Sequence, residues 1–200
     1  MISFIKHIST AVSLFLFIPS IWAQEQLLKY KVLFKGDNIG NMSCFQKQDG
    51  DNTYLKLVSC AQLQMLMKIK INLEEESMFK NGKLLYSSSL KTVNGKEKTN
   101  KQTKATDYGY MTFSKEKNGT IKCDPIDYNI TLLYYKEPKD NQLIYSDSFQ
   151  QLLRIKQTDT HLYKLELPDG NFNYYYYKNG ICYKVEIHHT LYTIHLQLIS

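Results

Sequence analysis

The sequence predicts an all-β protein, in which an antiparallel meander forms a curled sheet, half-barrel or barrel with one or two short helices. Six of the nine glycines directly follow Asn or Asp, and such pairs supply the positive φ angles that tight hairpin turns need. Between these turns apolar residues alternate with polar ones, which is typical of a sheet with one dry and one wet face. Because helix signals are sparse, more sheet must cover the apolar face, and the sequence does not choose between a sandwich, a half-barrel and a closed barrel.

The first element is a predicted signal peptide over residues 1–23. A short basic head at Lys6 precedes the uncharged stretch Ile8–Ile18, and a small residue, Ala23, ends the segment. The apolar stretch is too short for a membrane-spanning helix. No Cys follows it, so a lipoprotein anchor is not expected. We therefore expect a periplasmic or secreted protein with a single β-rich domain over residues 24–200.

The amino-acid composition limits the classes of molecule that the protein is expected to bind. Of the 200 residues 43% are hydrophobic, enough for one core and too many for a disordered chain. Cleavage would remove Lys6 and the single Trp, and would lower the net charge from +6 to +5. Nucleic acid is not an expected partner, because the chain is predicted to be exported and Arg154 is its only arginine.

The strands are predicted from the alternation of apolar and polar residues along the chain. Leu28 to Phe34 alternate with lysines, and residues 62–73 alternate over a longer stretch, broken only by Leu66. The last forty residues are clearest, with Asp-Gly and Asn-Gly turns at two of three connections, and they predict an up-and-down meander. Its four strands are expected over Leu162–Leu167, Phe172–Tyr177, Ile181–His188 and Leu191–Ile199.

Two segments carry weak helix signals. Ser146-Asp147-Ser148 could cap a short helix whose Phe149, Leu152 and Leu153 follow helical spacing. Asp127 to Tyr135 fits either a helix or a strand, and Pro138 closes it.

Searches for catalytic chemistry are negative. The sequence has no nucleophile elbow, zincin motif or Walker loop, so no enzyme activity and no cofactor are predicted. Three consecutive carboxylates, Glu74 to Glu76, would point to alternating faces of a strand and are read as a solvated strand end. His188, His189 and His195 have no evident acidic partner, and no metal site is predicted.

The four cysteines leave two interpretations open. Cys44, Cys60, Cys123 and Cys182 could form two disulfides in an exported protein, or could remain free thiols. Their spacing contains no C-x-x-C, so neither a redox motif nor a zinc knuckle is indicated.

Tyrosines concentrate in the closing meander. In the run Tyr174 to Tyr177 alternate rings must point to opposite faces, so one pair belongs to the core and the other to the second face. The second face could stack on sugars or line a pocket for an amphiphile, or could reflect ordinary cross-strand packing.

The order of short motifs resembles a family of uncharacterised secreted proteins of Bacteroidota, a domain of unknown function. The motifs include Asn38-Ile-Gly40-Asn, Phe79-Lys-Asn81-Gly82, Leu132-Leu-Tyr134-Tyr-Lys-Glu137-Pro138 and Tyr175-Tyr-Tyr177-Lys-Asn-Gly180. They are also similar to those of periplasmic proteins built as curled sheets, whose shape is like that of lipoprotein-carrying envelope factors. The resemblance implies a cell-envelope location, a curled sheet with a short helix near residues 129–135, and no assigned activity.

Together these observations predict a non-enzymatic binding or structural protein of the bacterial cell envelope that holds a lipid-like hydrophobic ligand in its curled sheet. The competing hypothesis is a glycan-binding accessory protein that uses exposed tyrosines, with Tyr175 and Tyr177 as the row to test. The residues predicted to bind the ligand are Met65, Met67, Ile69, Tyr134, Tyr175 and Tyr177.

Overall fold

The computed structural model describes residues 24–64 and 68–200, and the predicted signal peptide therefore lies outside the described residues. The described chain contains fourteen strands and one 3₁₀ helix, Thr131–Tyr134. The strands are β1 (Gln24–Phe34), β2 (Asp37–Asp49), β3 (Asn52–Gln64), β4 (Lys68–Lys80), β5 (Lys83–Val93), β6 (Lys96–Thr106), β7 (Gly109–Ser114), β8 (Gly119–Ile121), β9 (Leu143–Ser146), β10 (Gln151–Asp159), β11 (Leu162–Glu166), β12 (Phe172–Lys178), β13 (Ile181–His189) and β14 (Tyr192–Leu198).

All fourteen strands belong to one curled antiparallel sheet. Its spatial order is β8-β7-β6-β5-β4-β3-β2-β1-β14-β13-β12-β11-β10-β9, so two sequential meanders join where β1 pairs with β14. The edge strands β8 and β9 are not paired with each other, and the sheet is therefore not a closed barrel. The predicted all-β antiparallel fold is confirmed, and so are the four strands of the closing meander.

Asn-Gly turns build the hairpins as predicted. In Asn81-Gly82, Asn94-Gly95 and Asn179-Gly180 both residues have positive φ, between 51° and 78°. A two-residue type I′ turn requires this combination, and its twist matches the twist of the flanking strands. In an antiparallel meander consecutive turns alternate between the two rims. The turns of β4–β5 and β6–β7 therefore share one rim, and the β13–β14 turn lies at the other.

The long alternating pattern over residues 62–73 is not one strand. Gln64 ends β3 and pairs with Lys68 at the start of β4, while Leu63 lies opposite Ile69. Residues directly opposite in an antiparallel pair point to the same face, so the alternation continues across a hairpin. Period two alone therefore could not separate two strands from one.

The helix predicted after Ser146 is wrong. Ser146 ends β9 and Gln151 begins β10, and Gln150 between them has a φ of 56°. The Phe149 amide donates to Ser146 Oγ at 3.4 Å, and the Gln150 amide donates to the Ser146 carbonyl at 2.7 Å. Ser and Asp side chains favour turns as readily as helix caps, which explains the false signal.

A segment of the chain, residues 126–135, fills the interior of the curled sheet, and we call it the plug. It contains the 3₁₀ helix, at the position that the resemblance implied. Its backbone runs parallel to edge strand β9, where the Tyr145 amide donates to the Tyr128 carbonyl at 2.8 Å. The plug thus occupies hydrogen-bonding groups that an open edge would otherwise expose. Its buried side chains are Ile126, Tyr128, Asn129, Thr131, Leu133, Tyr134 and Tyr135.

Candidate functional site

Three of the predicted ligand-binding residues lie together inside the sheet: Tyr134 belongs to the plug, and Tyr175 and Tyr177 contact it. The Tyr134 ring makes edge contacts with Tyr30 at 5.5 Å and with Tyr175 at 6.4 Å between centroids. The Tyr177 hydroxyl donates to the Leu133 carbonyl at 2.8 Å. The three buried rings therefore fill the interior of the sheet.

The other three predicted residues, Met65, Met67 and Ile69, are close together in sequence. Met65 and Met67 lie outside the described residues. Ile69 is half-buried at the start of β4, opposite Leu63. The predicted set is therefore not seen as a single site, and its role in ligand binding stays a prediction.

The prediction that Tyr175 and Tyr177 form an exposed row is wrong. Tyr175 and Tyr177 are only 1% and 4% exposed, because the inner face of β12 carries them into the core. The second face carries Tyr174 and Tyr176, and Tyr176 contacts Tyr183 with ring centroids 6.3 Å apart. Lys184 Nζ lies 4.6 Å from the centroid of the Tyr176 ring and covers part of that face.

The histidines of the closing meander do have an acidic neighbour, contrary to the sequence interpretation. Glu186 lies opposite His195 in the β13–β14 pair, and its carboxylate is 3.3 Å from His188 Nε2 and 3.9 Å from His195 Nδ1. Glu186 also pairs with Lys184 at 2.7 Å. Within the described residues, no group of three or more His, Cys, Asp or Glu is placed to hold a metal ion.

An open groove lies along one rim of the sheet, and we call it the rim groove. Its volume is about 810 Å³, and it runs between the start of β5, the β6–β7 turn and the chain after β8. Leu84 and Tyr110 are buried in its wall, while Leu85 is 38% and Tyr108 is 89% exposed. Pockets for small-molecule ligands usually have volumes of roughly 300–1,000 Å³ and mainly apolar walls.

Hydrogen bonds fix the wall of the rim groove. The Tyr110 hydroxyl donates to the Leu84 carbonyl at 3.3 Å and accepts from the Ile126 amide at 2.8 Å. The Leu84 amide donates to the Ile126 carbonyl at 2.8 Å. One side of the groove is thus attached to the first residue of the plug.

Both signs of charge flank the rim groove. Lys83 and Lys122 contribute ammonium groups, and Asp107 and Asp124 contribute carboxylates. All four residues are exposed. The groove can therefore offer ionic partners to a polar head group while its wall accepts an apolar chain.

The interior also contains polar side chains that sequence reasoning did not assign to it. They lie on the inner faces of β4 to β7, on the plug and at the end of β9, and all are buried. We call this set the polar cluster: Glu75, Ser77, Ser87, Ser89, Thr103, Thr112, Asn129, Thr131, Ser146 and Asp147.

Glu75 was interpreted as part of a solvated strand end, and that interpretation is wrong. The three consecutive carboxylates do alternate as expected, since Glu74 and Glu76 share Lys56 Nζ on the outer face at 2.5 and 2.7 Å. Glu75 points inward and is 5% exposed. Glu75 lies two residues after Leu73 in β4, so both side chains point to the same, inner face. This alternation was the signal that could have predicted the burial of Glu75.

Two carboxyl groups form the centre of the polar cluster. Glu75 Oε1 accepts hydrogen bonds from Ser148 Oγ at 2.7 Å and from Ser89 Oγ at 3.0 Å. Asp147 Oδ2 accepts one from Asn129 Nδ2 at 3.1 Å. Burial raises the pKa of Glu75, and burial together with the Glu75 charge raises the pKa of Asp147 to about 8.

The cysteines form no disulfide in the structure. Cys44 and Cys182 are buried and Cys60 is exposed, with Cys123 between these extremes. Burial raises the pKa of Cys182 to about 12 and that of Cys44 well above its usual range. Their burial favours structural thiols over reactive ones.

One known protein family matches most of the chain. The profile of a family described as "Domain of unknown function (DUF6134)" matches residues 30–199. The chain belongs to the DUF6134 family. The expected membership of a family without assigned activity is thereby confirmed, whereas the bacterial group and export stay predictions.

A solved structure shares the fold of this DUF6134 protein. It is described as a beta-barrel-like protein of domain of unknown function DUF1849 from Brucella abortus. The TM-score is 0.57 at 10% sequence identity, and the match covers 88% of this chain and 95% of the other. A search of curated proteins finds no match.

One further finding concerns helices. Within residues 24–64 and 68–200 of the DUF6134 protein, no helix is long and apolar enough to cross a membrane.

Proposed function

We propose that this DUF6134 protein is a non-catalytic binding protein of the bacterial cell envelope, exported by residues 1–23, that holds the apolar chain of a lipid-like amphiphile in the rim groove. The observation that carries this proposal is the exposed apolar lip of the groove. Leu85 and Tyr108 present apolar surface to water at a concave site, where a ligand would cover it.

The location of the ligand differs from the sequence prediction for a physical reason. The plug, which includes Tyr134, already fills the interior next to Tyr175 and Tyr177. Displacing it would expose its buried side chains to water, whereas the rim groove needs no such rearrangement. The mixed charges of Lys83 and Asp107 at its flanks suit a polar or zwitterionic head group.

The first experiment identifies what the protein carries. The full chain, including the predicted leader at residues 1–23, is expressed, and the exported protein is purified without detergent. It is examined by native mass spectrometry and then extracted with organic solvent. We expect a lipid-like molecule bound at one per chain. A protein without any extractable amphiphile, which also fails to bind the fluorescent fatty acid cis-parinaric acid, contradicts the proposal.

Variants then locate the ligand. Leu85→Glu and Tyr108→Asp place a charge in the lip of the groove, and we expect cis-parinaric acid to bind roughly 10-fold more weakly, since a buried Leu contributes about 1.5–3 kcal/mol. Leu191→Glu is the matched control, because Leu191 is 83% exposed at a turn on the opposite rim. An equal loss in all three variants would assign binding to another surface.

Export has its own test. The only Trp, Trp22, lies in the predicted signal peptide. Protein recovered from the periplasm or the medium of an expressing Gram-negative host should begin at Gln24 and show tyrosine emission without a tryptophan band. An uncleaved cytoplasmic product would contradict the envelope location.

Glycan binding is a second candidate, supported by the pair of Tyr176 and Tyr183 on the outer face of the meander. Tyr183 is 42% exposed and its ring lies 6.3 Å from that of Tyr176. Aromatic rings of this kind present apolar faces with a polar edge. Retention of the protein in polysaccharide-containing native gels should be lost in Tyr183→Ala and kept in Tyr108→Ala if this candidate is correct.

A further inference from the structure

One corner of the sheet carries lysines whose charge no carboxylate neutralises. It lies at the rim that bears the β5–β6 turn, where the start of β4, the start of β6 and the loop after β7 meet. We call its exposed lysines the lysine patch: Lys68, Lys70, Lys96, Lys98, Lys115 and Lys117. Among residues 24–64 and 68–200 none of the six forms a salt bridge. Residues 1–23 and 65–67 contain no Asp or Glu that could pair with them.

Backbone hydrogen bonds fix the turns that carry the lysine patch. The Lys70 amide donates to Asn94 Oδ1 at 2.8 Å, and the Asn94 amide donates to the Lys70 carbonyl at 2.8 Å, so the β5–β6 turn is held beside β4. The Lys117 amide donates to Ser114 Oγ at 3.1 Å. Because neighbouring strands lie about 4.8 Å apart, β4 to β7 spread the lysines over roughly 15 Å of the rim. A flat, multiply charged surface can therefore contact several of them at once.

Few carboxylates lie within the same segments. Residues 68–70, 94–98 and 115–118 contain only Glu97 and Glu116. Glu97 Oε2 accepts a hydrogen bond from Asn100 Nδ2 at 3.0 Å. Hydrogen bonds from its own backbone amide and from Ser114 lower the pKa of Glu116, and the positive charges of nearby lysines add to this effect. Both carboxylates stay charged at neutral pH, and the patch is still strongly positive.

The chemistry of the lysine patch favours an anionic membrane surface over a glycan or a single phosphate. Residues 68–70, 94–98 and 115–118 contain no aromatic side chain on which a sugar could stack. They also contain no arginine, whose planar fork grips one phosphate with two hydrogen bonds. Lysines are hydrated point charges that act through their summed field, and clusters of about four to eight are typical of contact with anionic phospholipid.

We propose that the lysine patch docks the protein on the surface of a bilayer that contains anionic phospholipid. The attachment is peripheral and electrostatic, so salt weakens it. One lysine close to such a surface corresponds to roughly a 5-fold change in affinity, and the six together hold the protein without any inserted segment. The patch lies on the rim opposite the rim groove and does not depend on the proposed ligand. Leu85→Glu should therefore leave docking unchanged.

Co-sedimentation with lipid vesicles tests the proposal. The exported protein is mixed with vesicles of phosphatidylcholine that contain about 30% phosphatidylglycerol, and with vesicles of phosphatidylcholine alone. We expect the protein to sediment with the anionic vesicles at about 0.05 M NaCl and to be released at about 0.5 M, where the Debye length is only a few ångströms. It should not sediment with the neutral vesicles. No sedimentation with anionic vesicles at low salt, or equal sedimentation with both kinds, would overturn the proposal.

Two triple variants with the same net charge locate the contact. Lys96→Gln, Lys98→Gln and Lys117→Gln together should weaken vesicle binding roughly 10-fold or more, because half of the patch is lost. The matched control combines Lys80→Gln, Lys156→Gln and Lys178→Gln, which change exposed lysines outside the patch. It should bind nearly as well as the wild type. Circular dichroism checks that both variants fold, and equal weakening in the two would assign binding to net charge and refute the patch.

An anionic polysaccharide distinguishes the other class of partner. Polygalacturonate at matched ionic strength should displace the protein from the vesicles only weakly, since it offers no flat surface. Retention on immobilised polygalacturonate that exceeds binding to the anionic vesicles, and that is lost in the patch variant, would assign the lysine patch to a glycan and would overturn membrane docking.

Discussion

The hydroxyl of Tyr177 on β12 donates a hydrogen bond to the backbone carbonyl of Leu133 in the plug, at 2.8 Å. Both residues are buried, at 4% and 0% exposure, so water cannot replace the bond. We expect Tyr177→Phe to lower the free energy of unfolding by about 1–3 kcal/mol, because the Leu133 carbonyl loses its donor. Urea unfolding measures the loss, and Tyr183→Phe, on the exposed face, should change the midpoint little.

Gly40 lies where a side chain would strike the neighbouring strand. A Cβ at this position would be 2.1 Å from the Cys60 carbonyl oxygen and 2.7 Å from the Ala61 Cα, both backbone atoms of β3. Gly40→Ala should therefore force the strands apart and lower Tm by several degrees. At Gly119 the nearest atom is the Thr112 hydroxyl at 3.0 Å, which can rotate away. Gly119→Ala should be milder, and equal losses would contradict this account.

The thiols should react in two classes. In native protein 5,5′-dithiobis(2-nitrobenzoic acid) should modify exposed Cys60 readily and Cys123 more slowly, and should leave buried Cys44 and Cys182 untouched. All four should react after unfolding in guanidinium. Because no disulfide links them, a reducing agent should leave Tm unchanged. A drop in Tm on reduction would show that a disulfide forms in the exported protein.

Asp147 should make stability depend on pH. Its pKa is raised to about 8 in the folded protein from an ordinary value near 3.8, chiefly by burial and then by the Glu75 charge. The folded state therefore binds a proton that the unfolded state has released. The free energy of unfolding should fall as pH rises from about 4 to about 8, by up to about 1.4 kcal/mol per pH unit, and then level off.

Asp147→Asn tests the origin of that slope. The substitution removes the titrating group while keeping an amide for Asn129 to contact, so the slope over the same pH range should shrink. Urea unfolding curves at intervals of one pH unit are sufficient. An unchanged slope would assign the effect to Glu75 or to other groups.

Local features of the fold were predictable from the sequence where chemistry within a few residues decides them. Asn179-Gly180 predicts a turn because only such residues accept two successive positive φ angles, and the structure has that turn. Period two also predicted that Glu75 and Glu76 point to opposite faces. It could not show where a hairpin divides residues 62–73, because Leu63 and Ile69 share a face on both interpretations.

The remaining features depend on distant parts of the chain. Glu75 is contacted inside the sheet by Ser148 of the β9–β10 turn, which lies 73 residues away in sequence. Tyr175 and Tyr177 are the inner pair since the plug packs against their side of β12, and nothing in the run of four tyrosines distinguishes the two pairs. The rim groove likewise combines β5, the β6–β7 turn and the chain after β8, which no local pattern brings together.

The pairing of β1 with β14 orders the assembly of the protein in time. Residues 24–121 can form a meander as they are synthesised, since every pairing within it is between neighbours in sequence. One side of β1 stays unpaired until β14 has been synthesised, because residues such as Val32 pair with residues of β14 such as Leu196. Such late, long-range pairing slows folding and leaves a strand edge open to other chains. Before β14 has been synthesised, β1 is therefore an edge strand with which another chain could pair.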